Sequence, residues 1–316
     1  MRRPIVLLPL VAMISLAALA ARAAELAFVI NSGAASISVI DTATRQELRR
    51  IPVKREPHHV VLSPDGKSLL IGDTAGNEVV FLDPVTGEIQ KRVPVSDPYH
   101  LGFSPDGKFL VVNGLARNQV DVHDAVSMAL IKRFKVVATP SHLAFSPDSA
   151  SVYITLQESN RLLAIDLIHM TERWNEPVGK TPAGVLWHNG KLLVANMGTD
   201  YIAQVDPADG RVLAKIQTGK GAHTIFPSPD RKLLWVNNRA GGTTVALDAA
   251  TLKQVHAYTV PGGPDDIEVA PDGKLWITRR WAESVAVMDP ATGTFQTIAV
   301  GRSPHGLWLR QHPAGR

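Results

Sequence analysis

The chain has 316 residues, 45% of them hydrophobic and 20% charged, which excludes a disordered chain and leaves enough apolar side chains for a sizeable core. Cysteine is absent, which excludes disulfides, thiolate metal sites, iron–sulfur clusters, a cysteine nucleophile and covalent c-type haem. The formal charge of +4 falls to +1 once the three arginines of the first 23 residues are set aside, so the rest carries no electrostatic footprint for nucleic acid or an anionic membrane.

Those first residues read as a leader. Arg2-Arg3 forms a positive head, Ile5 to Ala20 is an uncharged and mostly apolar run, and Ala21-Arg22-Ala23 is a small-residue cleavage signal. The run is shorter than the ~20 apolar residues that span a bilayer. The expectation is a signal peptide over residues 1–23, cleaved near Ala23. The mature chain, 24–316, would then be a periplasmic monomer without a membrane span.

A repeat of about 41 residues organises everything that follows. Turn signals recur at Pro64-Asp65-Gly66, Pro105-Asp106-Gly107, Pro147-Asp148-Ser149, His188-Asn189-Gly190, Pro229-Asp230-Arg231 and Pro271-Asp272-Gly273. A second series ends an alternating segment with Asp41, Asp83, Asp124, Asp166, Asp206, Asp248 and Asp289, which makes seven repeats. Each repeat reads as four strands, because β-branched residues alternate with period two between turn residues. Such units bury both faces only against one another, so the predicted fold is all-β: a single seven-bladed β-propeller with four antiparallel strands per blade. Residues Glu25 to Val53 supply the second, third and fourth strands of a blade, and Ser303 to Leu309 read as an orphan first strand. The C-terminal strand is therefore expected to complete the first blade and remove an open edge.

The strand Phe28-Val29-Ile30-Asn31, its counterparts Leu193-Val194-Ala195-Asn196 and Trp235-Val236-Asn237-Asn238, the Ser-Pro-Asp-Gly-Lys turns and Ile37-Ser38-Val39-Ile40-Asp41 together resemble the YVTN-type β-propeller repeat family. The resemblance spans the mature chain, although Ile277-Thr278-Arg279 departs from it. It implies an exported seven-bladed propeller, often a binding or scaffold protein. The haem domain of cytochrome cd-type nitrite reductases and the seven-bladed lactonases are relatives by fold, and fold alone does not transfer function.

Catalytic signatures are missing: there is no Gly-x-Ser-x-Gly elbow, no His-Glu-x-x-His, no phosphate loop and no dinucleotide fingerprint. The seven repeated aspartates are expected to close turns by accepting backbone N–H bonds. The informative departure lies where each innermost strand begins. There His59, His100, His142 and His223 occupy one repeat register, Asp266 takes another place in it, Gly184 leaves one bare, and His305 sits one residue early. First strands line the channel and open on one face, so these imidazoles are expected to converge at a channel mouth, where neutral imidazole suits a transition metal or haem iron. A polar ligand rim is expected on the same face from Asn31, Asp73, Asn113, Asn196, Asn238, Arg279, Arg280 and Trp281. The face of the Pro-Asp-Gly turns is expected to be functionally quiet.

Three readings follow. The first is a non-catalytic exported binding or scaffold propeller that holds a small molecule, a metal or a periplasmic protein partner. The second is a metal- or haem-dependent redox protein built on the histidines. The third is a lactonase-like hydrolase, for which Pro57-His58-His59-Val60-Val61 is only a weak echo.

Overall fold

Seven four-stranded antiparallel sheets follow one another around an axis in the computed structural model, which describes residues 25–310. The predicted leader over 1–23 lies outside the described residues. Blade 1 combines Leu26–Asn31, Ser36–Asp41 and Gln46–Pro52 with the C-terminal strand Pro304–Leu309. The innermost strands of blades 2 to 7 are Pro57–Leu62, His100–Phe103, Pro140–Phe145, Pro182–His188, Ala222–Pro227 and Pro264–Val269. Each touches the next, and Pro304–Leu309 touches both Pro264–Val269 and Pro57–Leu62, so the ring closes as the orphan strand predicted. The only helical element among the described residues is the short turn Ser32–Ala34. No described helix is long and apolar enough to cross a membrane.

Strand alternation explains why blades need neighbours. Leu26, Phe28 and Ile30 pack on Leu69, Ile71, Val80 and Leu82 of blade 2. Ala27 and Val29, between them in sequence, point the other way onto Trp276, Val285 and Val287 of blade 7. Burying each such large side chain contributes about 1.5–3 kcal/mol. The outermost strands are polar and largely exposed, as in Ile89–Pro94 and Leu130–Lys135, where lysines and arginines discourage edge pairing.

The repeated aspartates close turns as expected. Asp41, Asp83, Asp124, Asp166, Asp206, Asp248 and Asp289 each accept a backbone N–H from two or three residues further on, at 2.7–3.2 Å. The Pro-Asp turns use their own lock. Ser63, Ser104 and Ser228 donate to Asp65, Asp106 and Asp230 at 2.6–2.7 Å, and Gly66 and Gly107 take the left-handed φ of +70° and +72° that the turn requires.

Candidate metal centre

Six of the seven innermost strands slip register one to three residues after their start, between Pro57 and Val60, Pro140 and Leu143, Pro182 and Val185, Ala222 and Thr224, Pro264 and Ile267, and opposite Asn31 at Pro304. Such a bulge breaks the strict alternation of side chains and re-aims them. Two consecutive residues per blade therefore reach the axis. His58, Tyr99, Ser141, Asp265 and His305 form an upper layer, and His59, His100, His142, His223 and Asp266 a lower one. Gly184 and Gly306 stay bare for a packing reason. A Cβ on Gly184 would lie 2.7 Å from the His223 carbonyl oxygen, and one on Gly306 would lie 2.8 Å from that of His58.

The imidazoles touch across the layers. Ring centroids are 4.2 Å apart for His58 and His305, 4.5 Å for His59 and His305, 4.2 Å for His59 and His100, and 5.1 Å for His59 and His142. One ring nitrogen from each of His58, His59 and His305 lies within 4.8 Å of the other two. These nitrogens are short of partners: His58 Nδ1, His59 Nε2, His100 Nδ1, His142 Nε2 and both nitrogens of His305 are buried without a hydrogen bond. A buried polar atom left unpaired costs about 1–3 kcal/mol, so five such side chains around one point call for a partner. His142 is also oriented from behind, with Nδ1 2.9 Å from Ser141 Oγ, which accepts a bond from Gln157 Nε2 at 2.6 Å. If Nδ1 carries the proton, the Nε2 lone pair is left facing the cluster.

A second triad, His223, Asp265 and His305, also has its donor atoms within 4.8 Å. It is already filled by protein charge. Asp265 is fully buried, lies 2.8 Å from His223 Nδ1, accepts from Arg239, and pairs with Arg280 at 3.3 Å. The Arg239 guanidinium also sits against His223 Nε2. It occupies the place a cation would take, and His223 has no free nitrogen to offer.

Electrostatics separate the two parts further. Burial holds His58, His59, His142 and His305 well below the usual histidine range, assisted by the adjacent imidazoles and, for His58, His142 and His305, by the Arg239 or Arg280 guanidinium. Burial alone takes His100 down to about 4. Burial and Arg239 take His223 to about 4 against the pull of Asp265. All six are neutral at pH 7, the state that ligates. Burial opposes ionisation of Asp265, yet Arg239, His223 and Arg280 outweigh it and keep the carboxylate charged. Burial pushes Asp266 up to about 8, opposed by the Leu307 and Ile267 N–H groups it accepts at 2.9 Å.

The structure thus gathers His59, His100 and His142 with His305, as the repeat register predicts, and changes the arrangement in three ways. The histidines are not at a hydrated mouth: all but His100 are buried, beneath Arg239 and Arg280. His223 belongs to the Asp265 ion-pair knot. His58 joins instead, and its signal was its place in the same register as His305, one residue before the expected ring. Arg239, from a second strand's end, carried no signal in the repeat.

The predicted ligand rim is mostly not a rim. Asn31, Asp73, Asn113, Asn196 and Asn238 are fully buried. Asp73 accepts the N–H groups of Lys54, Glu56 and Gly76 and so fixes a loop, and Asn113 donates to the Ser141 carbonyl of an innermost strand. Arg279 turns outward to Ser284 and Thr297 and lies over the Phe295 ring. Only Arg280 reaches the axial cluster, through Asp265, while Trp281 is 62% exposed beside it.

Comparison with solved structures finds the same architecture. A functionally unknown protein from Desulfotomaculum acetoxidans DSM 771 aligns with a TM-score of 0.78 at 14% identity, over 90% of this chain and 98% of that one. Dihydro-heme d1 dehydrogenase NirN in complex with DHE aligns at 0.68 and 17% identity, over 91% and 76%. Virginiamycin B lyase from Staphylococcus aureus aligns at 0.67 and 16%, over 80% and 90%. At these identities the likeness is one of fold. No curated protein sequence gives a significant match. Residues 4–315 match the profile described as YNCE-like beta-propeller, and the chain belongs to that family.

Proposed function

We propose that this propeller binds one late first-row transition-metal ion on its axis, held by His58, His59 and His305, with His100 and His142 beside them. The observation that carries the reading is the set of buried, unpaired ring nitrogens on these five histidines. Neutral imidazoles without carboxylate or thiolate partners favour copper, zinc, nickel or iron(II) over calcium or magnesium. The close ring separations argue for a bare ion, because they leave no width for a planar haem between the imidazoles. Asp265 stays outside the ligand set as the anchor of Arg239 and Arg280. Once bound, such an ion supplies Lewis acidity or, for copper and iron, one-electron chemistry.

The role is binding in the first instance, and the leader Met1–Ala23 supports a periplasmic location. Fractionation and N-terminal sequencing of the mature protein check that location, with a start near Ala24 expected. Metal content after purification, followed by titration of the metal-free protein with copper, zinc, nickel and iron(II), tests the function. One equivalent bound by wild type, and binding weakened at least about a hundredfold in His59→Ala, is the expected result. Binding of no metal at micromolar concentration would refute it.

A further inference from the structure

The axial histidines are closed off on the side where a ligand was first expected. On the upper side, His58, Tyr99, Ser141, Ala183, Ala222, Asp265 and His305 are all buried. Arg239 and Arg280 lie over them, tied to Asp265. The lower side is different. A cavity of about 290 Å³ starts at His59, His100, His142 and Asp266 and runs along the innermost strands past Leu143, Val185 and Leu186 to the exposed Pro227. His100 and Asp266, the two ring members that are not fully buried, both line it. The cavity therefore leads from the cluster towards the Pro-Asp-Gly turns.

We propose that the axial centre takes a second, small and uncharged organic ligand, which enters from the Pro-Asp-Gly face. This rests on the metal reading for what the ligand meets at the inner end, but the route and the selection by charge follow from the cavity itself. Its volume equals about ten water shares, enough for a molecule of about ten heavy atoms. Beyond the inner histidines Leu143, Val185, Leu186 and Ile225 give it aliphatic walls, with Phe226 near the outer end, and no lysine or arginine lines it. A charged ligand would lose its hydration to apolar walls, whereas an uncharged one with an apolar body and one nitrogen or oxygen donor would not.

The chain contains no cysteine, so a single one introduced at Leu186 becomes a unique handle on the lower rim. Leu186→Cys would be capped either with a small methylthio group or with bulky thionitrobenzoate, which keeps the fold constant between arms. Metal-free protein would then be treated with uncharged bromoacetamide or anionic bromoacetate, and alkylation at His59, His100 and His142 followed by mass spectrometry. Bromoacetamide should react with at least one of the three in the methylthio-capped protein, and bromoacetate at least about ten times more slowly. The bulky cap should slow bromoacetamide by about tenfold or more, while the same cap on Trp281→Cys, on the opposite face, should not. Equal rates under both Leu186→Cys caps, no reaction at any of the three histidines, or bromoacetate reacting as fast as bromoacetamide, would each overturn the proposal. Added zinc should protect the histidines. Failure of zinc to protect counts against the metal reading, and the caps still decide the route.

Discussion

The outer turns and the axis of this propeller obey opposite rules. At the ends of the third strands the same residue returns seven times, and each copy accepts backbone N–H bonds within its own turn. At the starts of the first strands the residue changes from blade to blade, and five histidines leave buried nitrogens unpaired. A group that every blade needs for folding is repeated and satisfied locally. A group that serves the ring as a whole is placed unevenly and left unsatisfied by the protein. The contrast between the two regions sets the axis apart from the turns.

The largest expected effect comes from removing what the two regions share. Deleting residues 304–316 takes away both the closing strand and His305. It should abolish cooperative unfolding and cause aggregation, because Leu26–Asn31 loses its inner partner. Retained solubility with a sharp melt would contradict the closure.

A core change of the ordinary kind should come next. Trp276→Ala, in the interface of blades 7 and 1, should lower stability by about 3–5 kcal/mol in denaturant titration while metal stoichiometry stays unchanged.

Acid separates the regions by a different route. The unfolded chain takes up protons on its histidines near pH 6.5, whereas the folded one holds His100 and His223 down to about 4. The unfolded state binds more protons in that window, so stability is present above pH 6.5 and is lost as pH falls towards 4. Asp266 works in the opposite sense. Its folded value, raised to about 8, contributes stability that is lost as pH rises through 8, and Asp266→Asn should flatten that side of the profile. Denaturant midpoints of the metal-free protein across pH 4 to 9 check both slopes. A flat profile between 6.5 and 4 would contradict the burial of neutral imidazoles.

The smallest effect belongs to a single turn. Asp83→Ala removes the acceptor for Val85 and Thr86 and should lower stability by about 1 kcal/mol, with no change in metal binding. A change in metal affinity there would mean that the turns and the axis are coupled. His256→Ala, on an exposed outer strand, should change neither property measurably.

The fold was legible because its signals are periodic. Turn residues recur every 41 or 42 positions, the aspartates return in step, and an unpartnered strand at each end implies closure. The site was legible only in part. The shared register of His59, His100 and His142 carried over into space. The register slips that bring His58 and His305 to the same point depend on how each innermost strand meets its neighbour, which a strand pattern of period two does not show. Arg239 was hidden for a related reason: it reaches Asp265 from the end of another blade's second strand, 26 residues away. The asparagines at the other second-strand ends looked like ligand groups but are buried, and the amide Nδ2 groups of Asn31, Asn113, Asn196 and Asn238 donate to nearby backbone or hydroxyl oxygens. The aspartates at the turns were read correctly because their partners are local.

The proposal that the unpaired imidazoles on the axis are metal ligands can be checked by locating the ion. Its most direct test is anomalous diffraction from crystals of the mature protein grown with zinc or copper, with data on both sides of the absorption edge. One strong peak is expected between the side chains of His58, His59 and His305, absent from crystals of the His59→Ala, His305→Ala double variant. A peak only at surface residues, or none on the axis of a fully occupied, well-ordered propeller, would contradict it.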